Sequence, residues 1–318
     1  MKYSFLEKEI KRSFQGLPET LPGGSRVSHG KVRDIIDLGD TLVISTSDRI
    51  SAFDRVLSTI PCKGEVLNKL ALHWFSRTED ILPNHIIESV TPRTVAVRKC
   101  EMLPVEVVVR GYLTGSAWRD YTAGNTVSGI ALPSGMQMNQ RFETPLITPS
   151  TKAEQGLHDE PISSEEILRQ GLVDPAVWDT VQKAAAALFR RGTEDCASQG
   201  LILVDTKYEF GILDGMVHLV DEVHTPDSSR FWYAESYEEQ FKAGKDPHKL
   251  DKEYLRQWLM EKGFMGDGDA PDIPDEVRIE TARRYVGAYE GITGSAFTPE
   301  AGDIDELAAV DEYVKKLS

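Results

Sequence analysis

The sequence has no uninterrupted apolar stretch of the kind a signal peptide or a membrane span needs. Its first residues, MKYSFLEKEIKRSF, alternate charges with apolar side chains. Such a chain is expected to be soluble, to have no membrane partner and to work in the cytoplasm. Cysteine is scarce: Cys62, Cys100 and Cys196 are far apart, odd in number and in no C-x-x-C pattern. That excludes a disulfide framework and a cysteine zinc site, and suits a reducing compartment. Basic residues are outnumbered, 36 Lys and Arg against 51 Asp and Glu, for a formal net charge of -15. Nucleic acid is therefore not an expected partner, because affinity for its backbone rests on clustered Lys and Arg. Internal repeats, low-complexity tracts and long linkers are also missing.

What remains is a chain of 318 residues, long enough to bury a substantial core without staples. It reads as one continuous globular unit over residues 1–318. Two β-rich runs, KVRDIIDL and TLVIST, flank Gly39-Asp40 within residues 31–46 and predict a hairpin. A second strand group is expected around residues 86–110. From Asp174 to Ala197, Val177, Val181, Ala184, Ala185 and Leu188 recur at helical spacing and predict a helix with one buried face. Another hairpin follows, LILVDTKYEFGI and MVHLVDEV around Leu213-Asp214-Gly215. Helices are expected over 247–261, 274–289 and 299–317. Strands early and helices late predict an α+β layout rather than a regular βαβ alternation.

The run Asp205-Thr206-Lys207-Tyr208-Glu209 is the most informative segment. Strand side chains alternate, so Asp205, Lys207 and Glu209 share one face. A three-residue turn with a left-handed Gly215 would set Asp221 opposite Lys207, and a two-residue turn would set Glu222 there. Several carboxylates around one lysine suit Mg²⁺ and phosphate. A solvated ladder of surface ion pairs gives the same pattern, but the apolar LILV before Asp205 suggests a strand that leaves the core and delivers charges at its end.

In PVEVVVRGYLTGSAWRDY, Arg110 shares a strand face with Glu106, and Ser116 stands at a helix start. An arginine fork and a helix N-terminus together suit a sugar phosphate. The plain alternative is a capping Ser116 with Arg110 paired to Glu106. Ser28-His29-Gly30-Lys31 opens the first hairpin with a glycine and a lysine, a cover for nucleotide phosphates or simply a hairpin entry. It matches neither G-x-x-x-x-G-K-[ST] nor G-x-G-x-x-G. SDRISAFD (47–54) and STKAEQGLHDE (150–160) read as polar loops. His158 has no second histidine at metal-ligand spacing, and His29 and His224 read as solvated.

Taken together and in order, GKVRD, SDRISAFD, VRGYLTGS, TKAE with HDE, DTKYEFG and DEVHTPDSSRFW resemble the SAICAR synthetase family. The resemblance is strongest over residues 26–232 and continues more loosely to GITGSAF near the C-terminus. It implies an α+β, SAICAR-synthetase-like fold, broadly ATP-grasp- and kinase-like. A nucleotide cleft would lie between an N-terminal antiparallel-sheet lobe, about 1–103, and a larger α/β lobe, about 104–318, that carries the C-terminal helices. The implied reaction joins L-aspartate to the carboxylate of CAIR (5-amino-1-(5-phosphoribosyl)imidazole-4-carboxylate). ATP is consumed and Mg²⁺ is the cofactor.

Carried onto matching positions, the resemblance gives Gly30, Lys31, Arg33, Glu106 and Lys207 to ATP, and Glu209 and Asp221 to the metal. Asp205, Lys207 and Glu209 would carry catalysis. Arg110, Ser116 and Arg230, with Asp227 and Ser229 beside them, would grip the ribotide phosphate, and Ser51 and Asp54 would wall the imidazole and the aspartate. Cys62 departs from the glycine common at that position. Two other readings stay open: another ATP-dependent ligase or small-molecule kinase on the same scaffold, and an acidic interaction module. Monomer and homo-oligomer are equally compatible with the sequence, and the Gly- and Asp-rich stretch 263–274 could form a lid.

Overall fold

The structure is a computed structural model that describes residues 2–53, 55–152, 160–250 and 253–317. Every ladder between its strands is antiparallel. With the helices this makes the fold α+β, as the ordering of elements predicts. The chain divides into two compact units, Met1–His73 with His85–Lys99 and Leu250–Ser318, and Trp74–Asn84 with Cys100–Lys249. Residues 250–318 thus group with the N-terminal segment, against the division expected near 103. The reason is apolar packing: Val310 and Val314 of the Glu306–Leu317 helix share a core with Leu17, Leu21, Val27, Ile36 and Val43.

The first unit is built on a five-stranded sheet in the order Ser28–His29, Arg33–Asp37, Thr41–Thr46, Thr94–Arg98, Ile86–Thr91. Alternation along Arg33–Asp37 buries Asp34 and Ile36, and Ile36 sits across from Val43. SDRISAFD is only partly a loop. Its Arg49–Ala52 portion forms a two-stranded ribbon with Arg55–Thr59. The late helices are shorter than the sequence predicts at their N-terminal ends: Glu253–Glu261 and Asp275–Thr293, with the last starting at Glu306 after a 3-10 turn at Ala301–Asp303. In the 263–274 stretch, the carbonyls of Gly266 and Gly268 accept from Arg55 at 3.2 and 2.5 Å.

The second unit is organised around the strand Leu201–Leu213. Val105–Tyr112 and Ser229–Tyr233 pair with its first part, Glu101–Met102 and Met216–Val220 with its second, and Arg141–Thr151 pairs with Val105–Tyr112. The helix Pro175–Ser198 begins where the sequence predicts. Asp174 accepts the N–H groups of Ala176 and Val177, and Pro175 in the first turn has no N–H to leave unpaired. Val181, Ala185 and Leu188 are buried on its inner face. No helix among the described residues is long and apolar enough to cross a membrane, and all three cysteines are free.

His224, read from sequence as solvated, is wholly buried. Its Nε2 meets the Tyr208 hydroxyl at 2.5 Å, its ring stands edge-on to Trp74, and its Nδ1 has no partner. Burial pushes its pKa down to about 3. Because the folded pKa lies below that of an unfolded histidine, the unfolded chain binds a proton that the folded chain refuses. Stability is then complete above about pH 6.5 and declines as pH falls toward 3. We expect a loss of about 2 kcal/mol between pH 7 and pH 5 from this residue alone. Urea denaturation of His224→Gln should lack that slope, and an identical slope in both proteins would refute the assignment.

Candidate active site

Three charges on one strand face organise the second unit. Asp205, Lys207 and Glu209 project together from Leu201–Leu213, as period-2 alternation requires. Lys207 Nζ donates to Glu106 at 2.8 Å and also to Glu209. Glu209 is bonded a second time, by Lys152. Burial alone would lower the Lys207 pKa, but Glu209, Asp221 and Glu106 outweigh it and hold the ammonium above its ordinary value. Glu209 is the mirror case: burial works against its charge, while Lys207 and Lys152 keep it ionised well below the usual carboxylate range. This is a partly buried, hydrogen-bonded cluster rather than a solvated surface ladder.

The turn feeding this face has two residues, Asp214 and Gly215, both left-handed, with Leu213 paired to Met216. That register would carry Glu222 opposite Lys207, but the ladder stops at Glu209 and Val220. Asp221 then turns left-handed at φ 64°. Glu222 is buried and accepts the Thr225 hydroxyl at 2.7 Å, so Asp221 is the one whose charge bears on Lys207. Each of the two registers considered from sequence captures part of this arrangement.

Two residues along the same face, Asp205 lies between arginines from the strands on either side, Arg110 and Arg230. Arg230 Nε donates to Oδ1 at 2.9 Å and Nη2 to Oδ2, and Arg110 Nη1 reaches Oδ2 at 3.3 Å. Arg110 also donates to the Ser116 hydroxyl at 3.1 Å and the Thr148 hydroxyl at 2.9 Å. Ser116 does not cap its helix, Gly115–Thr122, whose N-cap is Thr114. Arg110 is not paired to Glu106, which Lys207 takes. Gly115 has φ +61°, a backbone conformation that L side chains rarely adopt, and a Cβ there would also crowd the Arg230 guanidinium, so glycine suits this helix start.

Asp227 lies on the turn that follows, its N–H 3.3 Å from the Thr225 hydroxyl. Ser229 does not join the arginines. Its hydroxyl donates to Thr206 at 2.7 Å, and Thr206 faces the opposite side of the strand from Asp205. In the first unit, Gly30, Lys31 and Arg33 lie together at the bend between Ser28–His29 and Arg33–Asp37, where the Gly30 N–H donates to the Arg33 carbonyl at 2.7 Å. Ser51 is half-buried on the ribbon strand Arg49–Ala52. Asp54, His158 and most of the TKAE and HDE runs fall outside the described residues.

Sequence reasoning assigned no individual role to Lys152, Asp48 or Arg49, although the last two belong to the SDRISAFD segment expected to wall the imidazole and the aspartate. Lys152 was legible in principle: Thr148, Ser150 and Lys152 alternate along one face, and Ser150 pairs with Glu106. Asp48 is buried and accepts the N–H groups of Phe14 and Gly64, both at 2.8 Å, a role that carries no sequence signal.

The comparisons with known proteins agree on one family. The SAICAR synthetase profile matches residues 26–271, well over half of the chain. The phosphoribosylaminoimidazole-succinocarboxamide synthase of Bacteroides thetaiotaomicron is 49% identical over 284 residues, covering 88% of this chain and 90% of that protein. Among solved structures, the Saccharomyces cerevisiae SAICAR synthase complexed with SAICAR superposes with a TM-score of 0.79 at 34% identity, covering 89% of this chain and all of that one. A SAICAR synthetase in complex with ADP follows at a TM-score of 0.66 and 25% identity, over 86% of this chain and all of that one. With six motifs in family order, the same fold and nearly full-length relatives, the chain belongs to the SAICAR synthetase family.

Proposed function

We propose that this protein is an ATP-dependent C–N ligase of purine biosynthesis that joins L-aspartate to CAIR, releasing SAICAR, ADP and phosphate. The observation that carries the reading is the single strand face on which Lys207, between Glu106 and Glu209, stands two residues from Asp205 and its two arginines. One end suits a nucleotide phosphate and the other a sugar phosphate. A carboxylate is a poor electrophile, so the γ-phosphoryl group passes first to a carboxylate oxygen of CAIR, releasing ADP. The aspartate amine then attacks the acyl carbon, the C–O bond to phosphate breaks, and the amine gives up its proton as the amide forms. No side chain needs to act as a nucleophile, and catalysis rests on positioning and charge.

In this reading Lys207, Lys31 and Arg33 meet ATP phosphates, with Gly30 letting the loop approach closely and Glu106 holding Lys207. Arg110, Ser116 and Arg230 grip the ribotide phosphate with Asp227 nearby, whereas Ser229 supports the strand pair. Ser51 and Asp54 stay assigned to the imidazole and the incoming aspartate. A cytoplasmic setting accords with this chemistry.

Magnesium fits the donor set. Among the described residues no group of three or more His, Cys, Asp or Glu is placed to hold a metal. Magnesium instead commonly takes one or two carboxylates and completes its shell with nucleotide oxygens and water. Glu209, held ionised, and Asp221, whose charges both bear on Lys207, would supply those two carboxylates. Bound there, the metal would neutralise charge between the nucleotide and the acceptor carboxylate. Asp221→Asn is a clean probe, because asparagine tolerates the left-handed backbone as well as aspartate does. The magnesium concentration for half-maximal rate should rise roughly tenfold with the melting temperature little changed; an unchanged requirement would remove Asp221 from the metal site.

The overall reading is tested by ADP release from purified protein with Mg-ATP and CAIR, with and without L-aspartate. Aspartate-dependent release with succinocarboxamide formation supports it. A folded protein that binds ATP yet turns nothing over would point to a different phosphorylated acceptor.

A further inference from the structure

Arg49 has no part in the ligase chemistry above, yet its guanidinium meets the loop that carries Gly30 and Lys31. Its Nη2 donates to the Gly30 carbonyl at 3.1 Å and its Nε to the Lys31 carbonyl at 3.2 Å. Its Nη1 reaches the Gln15 carbonyl at 2.6 Å. The fork is fixed from behind by Asp34, whose side chain is fully buried and accepts from Nη2 at 2.6 Å and Nη1 at 3.3 Å. Asp34 is itself held by the Leu17 N–H at 2.7 Å and by His29 at 2.8 Å. Gly16, at φ +129°, faces this pair, and a Cβ there would collide with Arg49 and Asp34.

The neighbouring carbonyls are tied down as well. Val32 accepts the Ser47 N–H at 2.9 Å and its hydroxyl at 2.6 Å, and Arg33 accepts the Gly30 N–H. Four successive carbonyls therefore accept hydrogen bonds from within the protein. In a trans peptide the C=O and the next N–H point in opposite directions. Two carbonyls drawn to one guanidinium turn the N–H groups of Lys31 and Val32 together to the other side. Adjacent amide donors facing one way make a concavity that favours an anion.

We propose that Arg49, locked by Asp34, is a positioning residue that shapes the 30–33 backbone to receive nucleotide phosphate. This rests on the reading of that loop as the cover over the ATP phosphates. It gives the DR pair of SDRISAFD a role apart from the substrate wall assigned to Ser51 and Asp54.

Arg49→Lys keeps the charge but cannot reach two carbonyls and a carboxylate at once. We expect KM for ATP to rise about tenfold, with KM for CAIR and for L-aspartate within about twofold. The stabilisation of the protein by Mg-ATP in a thermal melt should shrink in step. Ser47→Ala, which removes the hydroxyl bond to Val32 and the long 3.4 Å bond from the Arg49 N–H but leaves the guanidinium in place, should raise KM for ATP about two- to threefold and serves if Arg49→Lys does not fold. Lys31→Ala separates the two layers of the argument. If it leaves KM for ATP unchanged, the phosphate-cover reading fails and the inference with it. If Lys31→Ala raises KM for ATP while a folded Arg49→Lys, or Ser47→Ala in its place, leaves it unchanged, the positioning role alone is overturned. A lower melting temperature with every KM unchanged would mark Arg49 as merely structural and would likewise overturn it.

Discussion

Purified Lys207→Met protein should lose about a thousandfold or more in kcat for aspartate-dependent ADP release, equivalent to about 4 kcal/mol of transition-state stabilisation. Lys207 is the cation at the centre of the carboxylate cluster, bonded to Glu106 and Glu209 and held protonated by them. Methionine preserves much of the stem and removes only the ammonium. The variant should also reveal how the cluster stores stability. Glu209 keeps Lys152 but loses its other partner, and Glu106 loses the bond to Lys207. Leaving carboxylates under-compensated in a partly buried site costs about 2 kcal/mol at pH 7.

The pH dependence of that cost has a definite sign. In the unaltered protein Glu209 has a folded pKa below that of an unfolded carboxyl group. Its contribution is therefore complete above about pH 5 and is lost as pH falls through the lowered value. The gap between the two proteins should be widest near neutrality and close under acid, as the carboxylates protonate in both. Denaturation followed from pH 7 down toward the lowered value of about 2 measures it. Activity within tenfold of the unaltered enzyme would remove Lys207 from the chemistry, and a gap that widened under acid would contradict the charge assignment.

Arg110→Ala should raise KM for CAIR about a hundredfold while KM for ATP stays within about threefold, the loss of a forked, charge-assisted contact to phosphate. Burial lowers the Arg110 pKa and Asp205 counters it, but a guanidinium remains charged across the working range. Because Asp205 and Ser116 both hold this side chain, its orientation is set before substrate arrives. Ser116→Ala should therefore cost little once Arg110 is gone, although alone it weakens CAIR binding. A non-additive double-mutant cycle would show that the two act as one grip. Equal loss of affinity for ATP and CAIR would mean that Arg110 supports the sheet instead.

Local periodicity made much of this molecule legible before any coordinates. The helix Pro175–Ser198 follows from apolar spacing and an Asp-Pro start. The shared face of Asp205, Lys207 and Glu209 follows from strand alternation alone, and six short motifs in order were enough to indicate the family. These features depend on residues close together in the chain, whose relative directions are set by the helix or strand that contains them.

Partnerships were not legible in the same way. Arg110 takes Asp205, 95 positions away, because their strands lie side by side. Glu106 is left to Lys207, and Lys152 arrives from the strand beyond. Asp221 bears on Lys207 only because its own backbone leaves the ladder one residue after Val220. His224 is buried by the tertiary packing of Trp74 and Tyr208, and Arg49 reaches carbonyls that no side-chain pattern can announce. The sequence by itself determined the elements, the faces they present and the family. Only the tertiary structure decided which charge answers which, because pairing depends on the register between strands distant in the chain, and a shift of one residue would turn every one of these side chains to the opposite face.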